Sequence, residues 1–180
     1  EMVQHVYDIT YGTVRPGEDT LVVIDDSIVR GTTLKESIIR MLSRLKPKRI
    51  IIVSSSPQIR YPDCYGIDMS KMGDFIAFNA AVELAKENGK AGFLKEMQER
   101  CKELQRCDKL HTENVVKLAY KLFSTEEISA KIAQLITPPG TDIPVDVIFQ
   151  SIEDLHRSCP NNLGDWYFTG NYPTPGGNKV

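Results

Sequence analysis

Two short apolar runs with an amphipathic segment between them form the clearest pattern in the chain. Leu21 to Ile24 and Ile50 to Val53 are unbroken stretches of mostly β-branched residues, as expected of strands buried on both faces of a sheet. Between them Leu34, Ile38, Met41, Leu42 and Leu45 recur at helical spacing, with Lys35, Glu36, Arg40 and Ser43 on the other side. Thr33 and Glu36 have the spacing of a capping box, and Pro47 ends the helix. Strand, helix and strand within about 35 residues make a βαβ unit, so the two strands should run parallel with a right-handed crossover.

Downstream the period changes to that of helices. Asp74 is placed to cap a helix that runs to about Asn88 and is closed by Gly89. Ala91 to Cys107 reads as a charged helix with Phe93, Met97, Cys101 and Leu104 on one side, followed by helices over Val115 to Phe123 and Thr125 to Ile136. Val145 to Phe149 suits a short strand, Ser151 and Asp154 a capped last helix, and the tail from Gly164 is aromatic and then rich in Pro and Gly. At the start, Tyr7, Ile9 and Tyr11 alternate with Asp8 and Thr10 as in a half-buried strand or extended arm. The expected architecture is α/β: a parallel sheet within residues 1–70, with a mainly helical region over residues 71–180 packed on it.

Chemistry concentrates where the first strand ends. Asp25 and Asp26 are followed by Ser27, Arg30, Gly31, Thr32 and Thr33, and then by the helix. Backbone N–H groups at such a loop and helix N-terminus face an anion, and the helix dipole favours it. Hydroxyls at Ser27, Thr32 and Thr33 add donors, and Gly31 lets the backbone approach a phosphate without a Cβ in the way. The acidic pair would repel a phosphate. It suits vicinal hydroxyls, which donate to carboxylates, or a hydrated Mg²⁺. The bland alternatives are a strand-to-turn pair at Asp25 and Asp26, a helix cap at Thr33 and an outward-facing Arg30. Ser54 to Ser56 read as polar residues where a strand leaves the core, and Tyr61, Tyr65 and Trp166 as packing. His5, His111 and His156 have no partners at catalytic or metal-ligand spacing.

The string Val23-Ile24-Asp25-Asp26-Ser27-Ile28-Val29-Arg30-Gly31-Thr32-Thr33 resembles the signature with which type I phosphoribosyltransferases bind phosphoribosyl pyrophosphate (PRPP), and more closely that of the glutamine PRPP amidotransferases. Ile59-Arg60-Tyr61-Pro62-Asp63-Cys64-Tyr65-Gly66-Ile67-Asp68 and Tyr167-Phe168-Thr169-Gly170-Asn171-Tyr172-Pro173-Thr174 resemble two further segments of that family, in the same order. The resemblance implies a partial type I phosphoribosyltransferase fold. It implies that Asp25 and Asp26 meet the ribose hydroxyls and the hydrated Mg²⁺ shell, and that Ser27, Arg30, Gly31, Thr32 and Thr33 cradle the 5′-phosphate. The family's reaction joins glutamine-derived ammonia to PRPP, giving 5-phosphoribosylamine at the start of purine synthesis. Its glutaminase domain, with a catalytic cysteine at residue 1, has no counterpart here, where residue 1 is Glu. The chain therefore reads as a C-terminal fragment, inactive alone, of a homo-oligomeric parent. Another PRPP-binding transferase and a non-catalytic PRPP sensor are the rival readings. Some members carry an iron–sulfur cluster on cysteines. Here Asp63 stands at one ligand position and Gly164 to Phe168 hold no cysteine, so no cluster is expected.

Bulk properties narrow the class without changing it. The 180 residues are 41% hydrophobic and 26% charged with a net charge of −2, which gives no electrostatic handle for nucleic acid or an acidic membrane. No apolar run approaches the roughly 20 residues of a membrane span. Cys64, Cys101, Cys107 and Cys159 form neither a CxxC nor a zinc pattern. Free thiols in a reducing cytoplasm are expected.

Overall fold

A computed structural model describes residues 12–63, 69–162, 164–174 and 177. The alternation at Tyr7 to Tyr11, and Cys64, Tyr65 and Asp68, lie outside these residues. Strand β1 (Thr20–Asp25) leads through the loop into a helical segment that opens as a π-type turn (Leu34–Ile38) and continues as α1 (Ile39–Ser43). Strand β2 (Arg49–Ser54) follows, then α2 (Ile76–Glu87), α3 (Ala91–Arg106), α4 (Lys117–Tyr120) and α5 (Thr125–Ile136). Strand β3 (Val145–Phe149) and the short helices α6 (Ile152–Ser158) and α7 (Trp166–Thr169) complete the order.

The three strands form one parallel sheet, ordered β1-β2-β3. Val23 pairs with Ile52 and Ile52 with Val147, while Ile24 pairs with Val53 and Val53 with Ile148. Side chains alternate across a sheet, so these two rows lie on opposite faces. The first row is covered. Ile50, Ile52 and Val147 join Ile39, Ala80, Ile128, Ile132 and Ile136 in one core beneath α1, α2 and α5. The second row is not: Val22 is 58% exposed, Ile24 76% and Ile148 53%. The expectation that β1 is buried on both faces is therefore corrected. The helices that pack on the sheet, among the described residues, all use one side of it. Strand β2 alternates in the same sense, with Ile51 and Val53 only half-buried.

Three helix expectations are also corrected. Thr33 is already helical (φ −61°, ψ −43°) and its side chain makes no capping bond, so the Thr33–Glu36 box does not form. The π turn carries one residue more than an α-helical turn and shifts the buried face. Ser37 and Ile39 are buried in place of Ile38, which is only partly covered. Asp74 does not cap α2; it sits in a 3₁₀ turn (Met72–Asp74) and the N-cap is Phe75. The helix expected over Val115 to Phe123 shrinks to Lys117–Tyr120. Elsewhere the signals hold. Gly89 (φ 69°) follows the end of α2, Ser124 and Glu127 form a reciprocal capping box on α5, and Ser151 caps α6. A smaller cluster of Met97, Leu104, Val115 and Ala119, with Phe93 and Cys101 against it, holds α3 in place. Among the described residues no helix is long and apolar enough to cross a membrane.

The one-sided sheet has a measurable consequence. Ile24→Thr is expected to shift stability by no more than about 0.5 kcal/mol, as at exposed positions generally. Ile52→Ala should cost about 2–5 kcal/mol through the cavity it leaves in the core. Urea unfolding of the two variants checks this. Comparable losses would mean that the face carrying Ile24 is buried.

Candidate functional site

The site is built at the carboxyl end of β1, where ligands bind in open α/β sheets. Asp25 is the last residue of the strand and pairs with Ser54 at the end of β2. The backbone N–H of Ser55 donates to the Asp25 carbonyl at 2.9 Å, tying the two strand ends together. The acidic side chains then turn onto the loop. Asp25 Oδ1 accepts from the Asp26 N–H at 3.0 Å, and Asp26 Oδ1 accepts from the Ser27 N–H at 2.7 Å. Among the described residues each carboxylate accepts a backbone bond through one oxygen only. Partial burial raises the Asp25 carboxyl above the usual carboxylate range, and the nearby Asp26 pushes in the same direction, while the bond from the Asp26 N–H opposes both.

Beyond the acidic pair the loop wraps a concavity of about 310 Å³. Asp25, Ser27, Arg30, Gly31, Thr32 and Thr33 all line it, with Ile28 and Leu34 beneath. Asp26 is exposed and lies outside that lining. The hydroxyls of Ser27, Thr32 and Thr33 make no hydrogen bond among the described residues, so they remain available as donors. Thr33 does not cap the helix. Arg30 resolves between its two readings as a rim residue: it lines the concavity, and its guanidinium lies 3.5 Å from Asp74.

Sequence reasoning missed what fixes this loop. The Ile76 N–H, at the start of α2, donates to the Val29 carbonyl at 2.8 Å. Gly31 has φ 71°, and a Cβ built on it would lie 2.6 Å from Ile76 Cδ1 and 2.8 Å from Ile136 Cγ2. The glycine thus allows the loop to seat on α2 and α5, in addition to any approach it permits to a ligand. No local signal ties Gly31 to Ile136, more than a hundred residues away. The Asp74–Arg30 pair likewise has no signature in the spacing.

Two other segments meet each other rather than the loop. Arg60 and Tyr61 donate their backbone N–H groups to the Tyr167 carbonyl at 2.8 and 3.0 Å, and Tyr172 Oη donates to the Pro62 carbonyl at 2.6 Å. Gly170 (φ 67°) closes against the Tyr61 ring. Tyr61 packs edge-on to Tyr120, and its hydroxyl is pushed up to about 12 by burial. Arg60 lies over the Tyr120 ring and donates to Gln58 Oε1. Tyr61 and Trp166 therefore pack, as expected, and Ser54 is buried with its hydroxyl donating to the Ser56 carbonyl. His156 approaches Asp165 at the surface. The described residues hold no group of three or more His, Cys, Asp or Glu side chains placed to grip a metal, and Cys101, Cys107 and Cys159 are free thiols.

No family model matches the chain. It is similar to curated amidophosphoribosyltransferases. The identity is 44% over 70 residues with that of Pasteurella multocida, covering 38% of this chain and 14% of the relative. With that of Escherichia coli it is 41% over 66 residues, covering 37% and 13%. With that of Saccharomyces cerevisiae it is 29% over 145 residues, covering 81% and 25%. The resemblance to the amidophosphoribosyltransferases is borne out. The chain spans a quarter or less of the length of these relatives. A solved glutamine PRPP amidotransferase from B. subtilis, complexed with ADP and GMP, aligns with 96% of this chain and 30% of its own, at 24% identity and a TM-score of 0.45.

Two outcomes test this geometry. Gly31→Ala is expected to destabilise the chain by about 2–4 kcal/mol, from the left-handed backbone and the overpacked contact together. Ile76→Val in the same chain should recover part of the loss, and thermal unfolding reads both; a neutral Gly31→Ala would separate the loop from α2. Asp25→Asn is expected to raise the unfolding midpoint at pH 7. The raised carboxyl pKa means that the folded chain carries a penalised charge there, which the amide removes. The gain should shrink as pH falls through the raised folded value and be gone well below the ordinary value of 3.8, where the carboxyl is neutral folded and unfolded alike. A gain that does not vary with pH would contradict this cause.

Proposed function

We propose that this chain, related in sequence to the amidophosphoribosyltransferases, is the part of such an enzyme that holds the phosphoribosyl group of PRPP. One observation carries the reading: a single concavity at the end of a parallel strand gathers Asp25, Ser27, Arg30, Gly31, Thr32 and Thr33. Three hydroxyls with no hydrogen-bond partner among the described residues, loop amides and one guanidinium suit a phosphate. Two adjacent carboxylates suit the ribose hydroxyls beside it. They also fit Mg²⁺, a hard cation that takes a few carboxylates and completes its shell with water and substrate oxygens. When bound, the ion would neutralise charge on the departing pyrophosphate.

The chain's own task is then positioning and charge management. Ser27, Thr32 and Thr33 would hold the 5′-phosphate. Asp25 and Asp26 would orient the ribose and stand near the positive charge that develops as the anomeric carbon gains oxocarbenium character. The whole enzyme's reaction, transfer of ammonia to PRPP to give 5-phosphoribosylamine, would draw its ammonia from a glutaminase domain outside these 180 residues, and the parent would be a cytoplasmic homo-oligomer. The uncovered sheet face, with Val22, Ile24 and Ile148 exposed, supports a chain that is one part of a longer protein.

Calorimetric titration of PRPP into the chain and into Asp25→Asn/Asp26→Asn tests the site. Binding that strengthens with Mg²⁺ and falls at least about tenfold in the double variant, as expected on losing charged hydrogen-bond partners, supports the reading. Equal binding by both chains would remove the acidic pair from the site.

A further inference from the structure

Taking the loop as a phosphate site, we propose that Asp74 is an internal competitor for that phosphate, occupying Arg30 until an anionic ligand takes its place. Arg30 Nη2 lies 3.5 Å from Asp74 Oδ2, with the side chains 48% and 44% exposed. An ion pair this open and this long is weak and readily exchanged. Arg30 also lines the concavity that Thr32 and Thr33 share, so the residue that pairs with Asp74 belongs to the lining where the phosphate would sit.

The backbone around Arg30 directs the exchange to its side chain. Val29 is held through its carbonyl by the Ile76 N–H, and Gly31 is seated against Ile76 and Ile136. With both neighbours fixed, a change of partner here falls to the Arg30 side chain. Asp74 is fixed as well: its N–H donates to the Lys71 carbonyl at 3.0 Å, and Asn79 Nδ2 donates to the Gly73 carbonyl beside it. A guanidinium turning from Asp74 to a phosphate gives up the 3.5 Å contact and gains paired, charge-assisted hydrogen bonds. Asp74 thereby sets a threshold. A ligand without a phosphate has nothing with which to displace it.

The inference has a signed outcome. Ribose 5-phosphate, with ribose as the control, is titrated at low salt into the 180-residue chain, Asp74→Asn, Arg30→Gln and the double variant, each first checked for folding by circular dichroism. Asp74→Asn is expected to tighten ribose 5-phosphate binding about threefold, the scale of an exposed ion pair, and to do nothing in the Arg30→Gln background. Unchanged or weaker binding by Asp74→Asn would overturn the inference. So would tightening that persists without Arg30, since Asp74 would then act only as a nearby negative charge. Failure of all four chains to bind ribose 5-phosphate would overturn the phosphate reading itself and the inference with it.

Discussion

Gly31 lies with its Cα against Ile76 and Ile136, in a backbone conformation with φ 71°, and the arrangement of the site depends on that contact. A loop leaving a strand end is ordinarily free to adopt many conformations, and ordering it on a ligand costs about 1–2 kcal/mol of backbone entropy per residue. Here much of that ordering is already in place. The Val29 carbonyl is bonded to α2, Gly31 is wedged between α2 and α5, and the Gly31 carbonyl accepts from the Lys35 N–H as the helical segment begins. Thr32 and Thr33 line the concavity from a segment whose position the distant helices fix. Helices that read in the sequence only as core and solvated faces thus shape the loop that follows β1.

The same packing explains the asymmetry of the sheet. Helices α2 and α5 and the segment leading into α1 cover the face carrying Ile50, Ile52 and Val147, and among the described residues nothing comparable covers Ile24 and Ile148. β-Branched side chains pair across the open face in the same register as on the covered one. The strands therefore have the composition of a sheet layered on both sides while, among the described residues, only one layer lies on it, as suits a chain that spans a quarter or less of its relatives.

Much of this was legible in advance. The two apolar runs located β1 and β2, and the loop between strand and helix located six residues that do line one concavity. The apolar run at Leu21 to Ile24 could not reveal which face is covered, because a continuous hydrophobic strand is identical whether one side is packed or both. The Thr33–Glu36 spacing pointed to a cap, yet the helix begins upstream of Thr33 and opens as a π turn, which moves burial from Ile38 to Ile39. The contacts of Gly31 with Ile136 and of Arg30 with Asp74 were invisible because they depend on tertiary packing, and no periodicity encodes them. The two docked segments, by contrast, were found as separate matches, and the structure joins them through Tyr167 and Tyr172.

The central claim is that a pre-seated loop between β1 and α1 receives a sugar phosphate. Its most direct test is an amide ¹⁵N–¹H spectrum of the labelled chain titrated with ribose 5-phosphate. The account expects the largest shifts at the amides of Ser27, Gly31, Thr32 and Thr33, smaller ones at Ile76, and none along α3. Shifts centred on α3 or on the Tyr61–Tyr167 dock, with the loop amides unmoved, would contradict it.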